Sequence, residues 1–353
     1  MAAMEDAFRL TPDNYVHVLA AESYRPFACR AKTKEELEAW QRDFRPYLWK
    51  LLGLNRIAAR CSADPQAQQV GVEELNDHIR EEWKLETEPG FWVPFYLLRP
   101  KSQDGPVPLV ITPHGHGKAA KKTYVGIWET EEERESIEGG ERDVALQAVR
   151  EGYVAIAPDM RGFADLRRQP EIEKDANNSC RTMQMHAFMF GRTLIGERVW
   201  DVMRLIDYAK TRPEIDATRV AVTGNSGGGT VSLFAGACDE RITVCAPSSY
   251  FCTFEHSIGS IRHCECNYVP GLMAVAEMYD VASLVAPRAF LAVAGRTDPI
   301  FPYEATKMAF EKVKEAYTVA GVSERCELYT GDGGHRYYKA GVWPFMRRWL
   351  TQS

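Results

Sequence analysis

Three features that would assign the chain to a class of partner are missing from this sequence. There is no run of about 18 apolar residues, so a membrane-spanning helix is excluded. There is also no basic segment interleaved with aromatic residues, and the formal net charge is −6. Neither nucleic acid nor an anionic membrane is therefore favoured as a partner, and the charge does not specify a substrate.

The sequence also lacks the signs of export. The first residues, Met-Ala-Ala-Met-Glu-Asp, have neither the basic segment nor the apolar core of a secretory signal. The nine cysteines are odd in number and irregular in spacing, which does not match a disulfide framework. We therefore expect a cytoplasmic location.

Residues 1–75 predict a helical N-terminal extension. Thr33 and Glu36 form a capping-box pattern ahead of apolar residues that recur at helical spacing up to Phe44. Pro46 then kinks or ends this helix, and a second apolar run follows it. This pattern carries no chemistry of its own.

From residue 76 to residue 353 the pattern is that of an α/β domain. Residues 79–87 and 91–98 flank a Pro-Gly turn and predict two antiparallel strands. Short buried runs then alternate with amphipathic helices, which predicts a mostly parallel sheet with helices on both faces. The runs are 107–112, 153–157, 219–223, 242–246, 289–294 and 326–329. Two long segments, 160–192 and 250–288, follow strands directly and are predicted to roof a site at the carboxyl ends of the strands.

Gly-Asn-Ser-Gly-Gly at 224–228 matches the G-x-S-x-G nucleophile elbow. The glycines suit a sharp strand-to-helix turn, where any side chain beside the serine would clash with its surroundings. A buried strand precedes the motif and a helix with small residues follows it, as the elbow requires. Ser226 is thus the candidate nucleophile.

The base and its orienting acid must follow the serine in this fold order. His335 lies in a glycine-rich loop after the last predicted strand, and Asp298 ends the preceding strand. Asp332 is the rival acid, since it is close to His335 in sequence, but it suits a cap on its own turn. Asp159 precedes the serine and is interpreted as structural, binding backbone amides of its loop.

The loop His-Gly-His-Gly at 114–117 follows an early strand, and we expect the backbone amides of His116 and Gly227 to form the oxyanion hole. His114 and His116 could instead chelate a metal, but no further Asp or His partner follows them. A phosphate-binding loop ending at Lys118 is excluded, because the required earlier glycine is absent.

His263, Cys264 and Cys266 resemble a zinc motif, with Cys252 the only obvious fourth ligand. A role in lining the substrate pocket is the preferred interpretation, so the sequence predicts no metal and no cofactor. The expected pocket residues are His263, Cys264, Tyr268, Tyr250, Met183 and Phe188, and the last two suit a plain apolar core equally well.

With these motifs in place, the chain resembles the α/β-hydrolase superfamily and, within it, the bacterial acetyl xylan esterase group, neighbours of the cephalosporin C deacetylases and dienelactone hydrolases. The resemblance extends from about residue 80 to the C-terminus. It is carried by His-Gly-His-Gly at 114–117, Ala-Pro-Asp-Met-Arg-Gly-Phe at 157–163, Gly-Glu-Arg-Val-Trp-Asp at 196–201, Gly-Asn-Ser-Gly-Gly at 224–228 and Cys-Asn-Tyr-Val-Pro-Gly at 266–271.

The resemblance implies a cofactor-free Ser-His-Asp hydrolase of carboxylic esters, with carbohydrate esters as candidate substrates. The bulky side chains of the two roof segments predict a shortened acyl pocket and therefore short acyl esters, acetyl above all. These side chains are Met183, Met185, Phe188, Tyr250, Phe251 and Tyr268. Dienelactone hydrolases typically use a cysteine nucleophile, and Ser226 departs from that pattern. Two alternatives stay open: a serine peptidase of the prolyl oligopeptidase type, and a hydrolase-fold protein that only binds a ligand. The short N-terminal extension cannot form the propeller domain that such peptidases usually carry.

Overall fold

The computed structural model describes residues 12–62 and 64–351, and parts of the predicted extension lie outside them. The helices of eight or more residues are α1 (Pro12–Glu22), α2 (Lys34–Leu52), α5 (Glu131–Gly139), α8 (Cys180–Met189), α9 (Leu194–Ala209), α10 (Gly227–Cys238), α13 (Tyr303–Val319) and α14 (Lys339–Leu350). The shorter ones are α3 (Leu54–Ala58), α4 (Lys121–Tyr124), α6 (Val144–Arg150), α7 (Gln169–Glu173), α11 (Leu272–Val275) and α12 (Met278–Ser283). Single 3₁₀ turns form at Ala164–Leu166, Glu265–Asn267 and Ser323–Arg325.

One mixed sheet organises the chain. Its strands are β1 (Gln66–Glu74), β2 (His78–Glu88), β3 (Phe91–Pro100), β4 (Val107–Ile111), β5 (Val154–Pro158), β6 (Ile215–Asn225), β7 (Ile242–Ser248), β8 (Ala289–Gly295) and β9 (Cys326–Gly331). They lie in the order β1-β2-β3-β5-β4-β6-β7-β8-β9. The pairs from β1 through β3 to β5 are antiparallel, and all the others are parallel. The predicted fold class is confirmed.

Strand β1 differs from the prediction, which assigned all of residues 1–75 to helix and loop. Gln66–Glu74 instead pairs antiparallel with β2 at the edge of the sheet. Both of its faces are exposed, and a register shift between Gln69 and Gly71 leaves Val70 and Val72 open to solvent. A strand with no buried face has no alternating apolar pattern, so the sequence carried no signal for it.

Helix α2 belongs to the main hydrophobic core. Thr33 and Glu36 form the predicted capping box at its start, and Pro46 lies inside it without ending it. Phe44, Leu48 and Leu52 are fully buried in the same apolar cluster as the central strands. Burial of this face fixes the N-terminal helices onto the α/β domain.

A buried ion-pair network joins the two sides of the first roof segment. Arg161, just after β5, donates to both carboxylate oxygens of Asp201 at 2.7 and 2.8 Å and to Glu88 Oε1 at 2.7 Å. Asp201 lies on α9 and Glu88 at the end of β2, and all three side chains are buried. Arg161, Glu88 and Asp201 therefore serve mainly to fix β2, β5 and α9 together.

No helix within residues 12–62 and 64–351 combines the length and the apolar character needed to cross a bilayer.

The burial of α2 predicts a large effect of truncating its core face. Leu48→Ala should lower the free energy of unfolding by about 2–5 kcal/mol, because it leaves a cavity in a close-packed core. Exposed Arg42 on the same helix is the control, and Arg42→Ala should change stability by less than about 0.5 kcal/mol. Urea unfolding followed by circular dichroism measures both, and equal losses would mean that α2 does not contribute to the core.

Candidate active site

Ser226 lies at a sharp turn between β6 and α10. Its backbone angles are φ 57° and ψ −118°, a region that residues with a side chain rarely occupy. Its amide donates to Ser248 O at 2.9 Å on the neighbouring strand β7, which helps to hold the turn. The strained turn lifts the serine above the carboxyl edge of the sheet.

Glycines beside Ser226 let the neighbouring backbone come unusually close. A Cβ atom added to Gly224 or Gly228 would lie 2.1 or 2.0 Å from Pro113 O. Similarly, a Cβ on Gly115 would lie 2.6 Å from Asn225 O. The loop after β4 therefore packs directly on the elbow, and any side chain at these three positions would push it away.

His335 follows β9, and Asp298 lies three residues after β8. The His335 Nδ1 atom is 2.8 Å from Asp298 Oδ2. The other carboxylate oxygen, Oδ1, accepts from the amides of Ile300 at 2.8 Å and Phe301 at 3.2 Å. An ionised carboxylate only accepts hydrogen bonds, so Nδ1 carries the proton and Nε2 is left with its lone pair.

Two further contacts fix the imidazole. The ring of Phe301 stacks on that of His335, with the centroids 5.8 Å apart. The loop itself is tied to β7 by a hydrogen bond of 2.8 Å from Ser249 Oγ to Arg336 O. Asp332, the rival acid, is instead almost fully exposed and lies 3.6 Å from Arg296.

Ser226 and His335 open into one cavity of about 710 Å³. Its lining includes the loop after β4 and part of the second roof segment, which contributes Ile261, Arg262, His263 and Cys264. Three of the lining residues, Arg142, Arg262 and Arg336, are cationic. Their guanidinium groups could contact hydroxyl or anionic groups of a substrate.

Only part of the predicted pocket lies in this cavity. His263 and Cys264 line it, whereas Tyr250, Tyr268, Met183 and Phe188 do not. Tyr250 is buried against Phe301 and Tyr268 is exposed, while Met183 lines a separate cleft with Arg161. Phe188 is half-buried on α8. The first roof segment thus lies behind the cavity wall, a separation that sequence spacing could not reveal.

Asp159 is buried and structural, but its partners differ from the prediction. It accepts from the Lys121 ammonium at 2.5 Å and more weakly from the Lys121 amide at 3.4 Å. Burial raises the pKa of Asp159 to about 6, although the Lys121 cation opposes this. It therefore ties β5 to α4 rather than closing its own loop.

His116 lies directly over the elbow, and its ring also contacts a cluster of thiols. A Cβ on Gly227 would be 3.0 Å from His116 Nδ1, and His116 Nε2 is 3.6 Å from Cys266 Sγ. Cys264 and Cys180 complete this cluster. The sequence motif groups Cys264 and Cys266 with His263 and Cys252, whereas the structure groups them with His116 and Cys180. No local pattern indicates Cys180, because it is more than 80 residues away in the chain.

His114 is held as a neutral imidazole in the interior. Nδ1 donates to Gly115 O at 2.8 Å, and Nε2 accepts from the Met160 amide at 3.0 Å. Burial lowers the pKa of His114 from its ordinary value of 6.5 to about 3. This geometry uses both ring nitrogens, so His114 is not available as a metal ligand alongside His116.

The depressed pKa of His114 predicts a loss of stability in acid. In the unfolded chain the His114 imidazole binds a proton below about pH 6.5, whereas in the folded chain it does so only below about pH 3. The stability that this group contributes above pH 6.5 is therefore lost as the pH falls. Between pH 8 and pH 5 this group alone should remove about 2 kcal/mol of unfolding free energy.

Urea unfolding at both pH values tests this in His114→Asn, which should lose about 2 kcal/mol less than the wild type over the same interval. Exposed His186 on α8 provides the control, since His186→Asn should retain the wild-type difference. Identical pH dependence in His114→Asn and the wild type would show that the buried imidazole is not responsible.

Comparison with known proteins gives a family and a fold. A profile of the Abhydrolase family matches residues 15–335. A protein of Bacillus subtilis (strain 168) named "Putative hydrolase YtaP" is 24% identical over 288 residues, which cover 79% of this chain and 91% of that protein.

Two solved structures with a similar fold are esterases by description. One from Bacteroides fragilis NCTC 9343, described as a "putative acetyl xylan esterase", has a TM-score of 0.75 at 18% identity, over 92% of this chain and 83% of that one. The Methylesterase BT1017 has a TM-score of 0.71 at 20% identity, over 95% of this chain and 68% of that one. At these identities the structural likeness shows the α/β-hydrolase fold. Since the family profile spans most of the sequence, this chain belongs to the Abhydrolase family.

Proposed function

We propose that this chain is a serine hydrolase of carboxylic esters that works through an acyl-enzyme. The observation that carries the proposal is that Ser226, on its strained elbow, shares a cavity with His335, whose Nδ1 is 2.8 Å from Asp298. The esterase descriptions of proteins with the same fold give independent support.

In the proposed mechanism Ser226 Oγ attacks the ester carbonyl while His335 Nε2 accepts its proton. Asp298 does not take the proton; it holds the imidazole in the correct tautomer and stabilises the imidazolium. His335 then protonates the leaving alcohol, and water, activated by the same imidazole, hydrolyses the acyl-enzyme.

The backbone amides of His116 and Gly227 are the proposed oxyanion donors. Gly227 is the first residue of α10, so its amide is one of the unpaired donors at the helix N-terminus. His116 lies in the loop that packs on the elbow through Gly115 and Gly228. Donors held in place before the reaction are effective because no reorganisation is needed as charge develops.

For the substrate, we propose a short acyl group on a polar alcohol, such as a sugar. The His116 ring over Gly227 leaves little room beside the serine for a long acyl chain. The rest of the cavity is large enough for a bulky alcohol, and its three arginines favour hydroxyl or anionic groups. The short-acyl proposal therefore rests on His116, because Tyr250, Tyr268, Met183 and Phe188 lie outside the cavity.

Substitutions at the triad test the mechanism. Ser226→Ala and His335→Ala should each lower kcat by about four to six powers of ten while the protein stays folded. Asp298→Asn should lower kcat by somewhat less, because the amide side chain still occupies the site but no longer fixes the imidazole tautomer. Initial rates of 4-nitrophenyl acetate hydrolysis measure these effects.

Asp332→Asn is the matched control, since this carboxylate is exposed and lies beside Arg296. It should retain wild-type turnover. A greater loss of kcat in Asp332→Asn than in Asp298→Asn would identify Asp332 as the acid of the triad. A fully active Ser226→Ala would contradict the proposed mechanism.

Acyl-chain length tests the substrate. Among 4-nitrophenyl esters from acetate to decanoate, kcat/KM should be highest for acetate and fall gradually, since each methylene changes binding by only about 1–3 kcal/mol. An alanyl or prolyl anilide should react far more slowly, because its poor leaving group needs extended binding of a peptide chain. A maximum at decanoate would indicate a lipase-like groove, and a faster anilide would favour the peptidase alternative.

A further inference from the structure

Four side chains meet beside the cavity, and none of them is a member of the proposed triad. His116, Cys180, Cys264 and Cys266 come from three separate segments of the chain, and their ligand atoms all lie within 4.8 Å of one another. The Sγ atoms of Cys264 and Cys266 are 3.3 Å apart, and Cys266 Sγ is 3.6 Å from His116 Nε2. We propose that this cluster, which we call the Cys₃His cluster, binds one zinc ion.

The spacing and the chemistry of the donors both fit zinc. With Zn–S bonds of about 2.3 Å, the sulfur atoms of a tetrahedral site lie about 3.8 Å apart, so the observed distances need only small adjustments. Three thiolates and one imidazole form a recognised zinc set, whereas magnesium and calcium prefer oxygen ligands. The sequence offers Cys252 as the only obvious fourth ligand and favours a role in lining the pocket, whereas the fold brings both Cys180 and His116 to Cys264 and Cys266.

The charge of Arg198 is the second, independent observation. Its side chain is only 2% exposed, and no ion pair joins it to a carboxylate of residues 12–62 and 64–351. Glu197 and Asp201 on the same helix pair with Arg161 instead. The Arg198 guanidinium donates to Arg161 O at 2.6 Å and to Cys180 Sγ at 3.2 Å, and it lies over the Phe163 ring. A buried cation without a counter-charge is costly, so an anionic partner is required.

A zinc-bound cluster supplies that counter-charge. Three thiolates and one divalent cation leave one net negative charge, which the guanidinium of Arg198 balances, whereas three neutral thiols would leave it uncompensated. A weak hydrogen bond to another thiol of the cluster is also consistent with a thiolate, since Asn267 Nδ2 lies 3.6 Å from Cys266 Sγ. Such outer hydrogen bonds to ligand atoms are typical of metal sites.

Four protein ligands make a closed site, which is the pattern of a structural rather than a catalytic zinc. The ion would join the loop after β4 to the start of α8 and to the 3₁₀ turn Glu265–Asn267. It would thereby tie both roof segments to the loop that carries the proposed oxyanion amide of His116. This last consequence rests on the proposed function, whereas zinc binding itself does not.

Metal content of the full chain tests the proposal directly. Protein produced with zinc in the medium and dialysed without chelator should contain one zinc per chain by elemental analysis. A mercurial reagent that blocks the thiols should release that zinc to a colorimetric indicator. Cobalt substituted for zinc should give the intense visible absorption of a tetrahedral, thiolate-bound ion.

Variants locate the site. Cys264→Ser and Cys180→Ser should lose most of the zinc, whereas Cys252→Ser should keep it. Cys252 is the matched control because it is buried in the same roof segment, with its Sγ 3.7 Å from Pro302 O, a contact that serine can keep. Ser226→Ala should bind one zinc per chain like the wild type. The zinc proposal can therefore fail or hold independently of the proposed hydrolase mechanism.

Several results would overturn the proposal. The first is a zinc content per chain that is no higher in the wild type than in Cys264→Ser, together with no release of zinc by the mercurial reagent and no absorption spectrum of thiolate-bound cobalt. Another is a Cys264–Cys266 disulfide in the freshly purified chain by non-reducing mass analysis. The wild-type measurements stand on their own if Cys180→Ser fails to fold.

Discussion

The proposed chemistry depends on how closely two backbone segments approach at the carboxyl edge of the sheet. The carbonyl oxygen of Pro113 occupies the space that a side chain at Gly224 or Gly228 would need. The carbonyl oxygen of Asn225 likewise occupies the space that a side chain at Gly115 would need. This contact sets the height of the Ser226 turn and the position of the loop that bears His116. The backbone strain at Ser226, with φ at 57°, persists because the packing around it leaves the turn no other path.

Much of this arrangement could be predicted from the sequence because it follows from local patterns. Continuous apolar runs indicated the parallel strands, and the order of Ser226, Asp298 and His335 along the chain placed them after strands whose ends meet. The edge strand Gln66–Glu74 gave no such signal, because it buries neither face. Local pattern predicts elements that contribute to a core and fails for those that only extend a sheet.

The cavity and the thiol cluster lay beyond sequence reasoning for another reason. Both are made by long connections whose paths are set by tertiary contacts and not by periodicity. Cys180 meets Cys264 and Cys266 because the first roof segment folds behind the second, and the same path keeps Met183 out of the cavity. Arg198 belongs to a motif of the sequence, but its burial and its contact with Cys180 Sγ become visible only in the structure.

The central claim, that Ser226 is the nucleophile of an acyl-transfer site, is tested most directly by covalent labelling. The chain should be incubated with a serine-reactive fluorophosphonate, and the adduct should be mapped by peptide mass spectrometry. The account predicts one adduct per chain, located on Ser226, that forms much more slowly in His335→Ala and not at all in Ser226→Ala. A folded wild-type chain that is not labelled, or that is labelled at another residue at an equal rate, would contradict it.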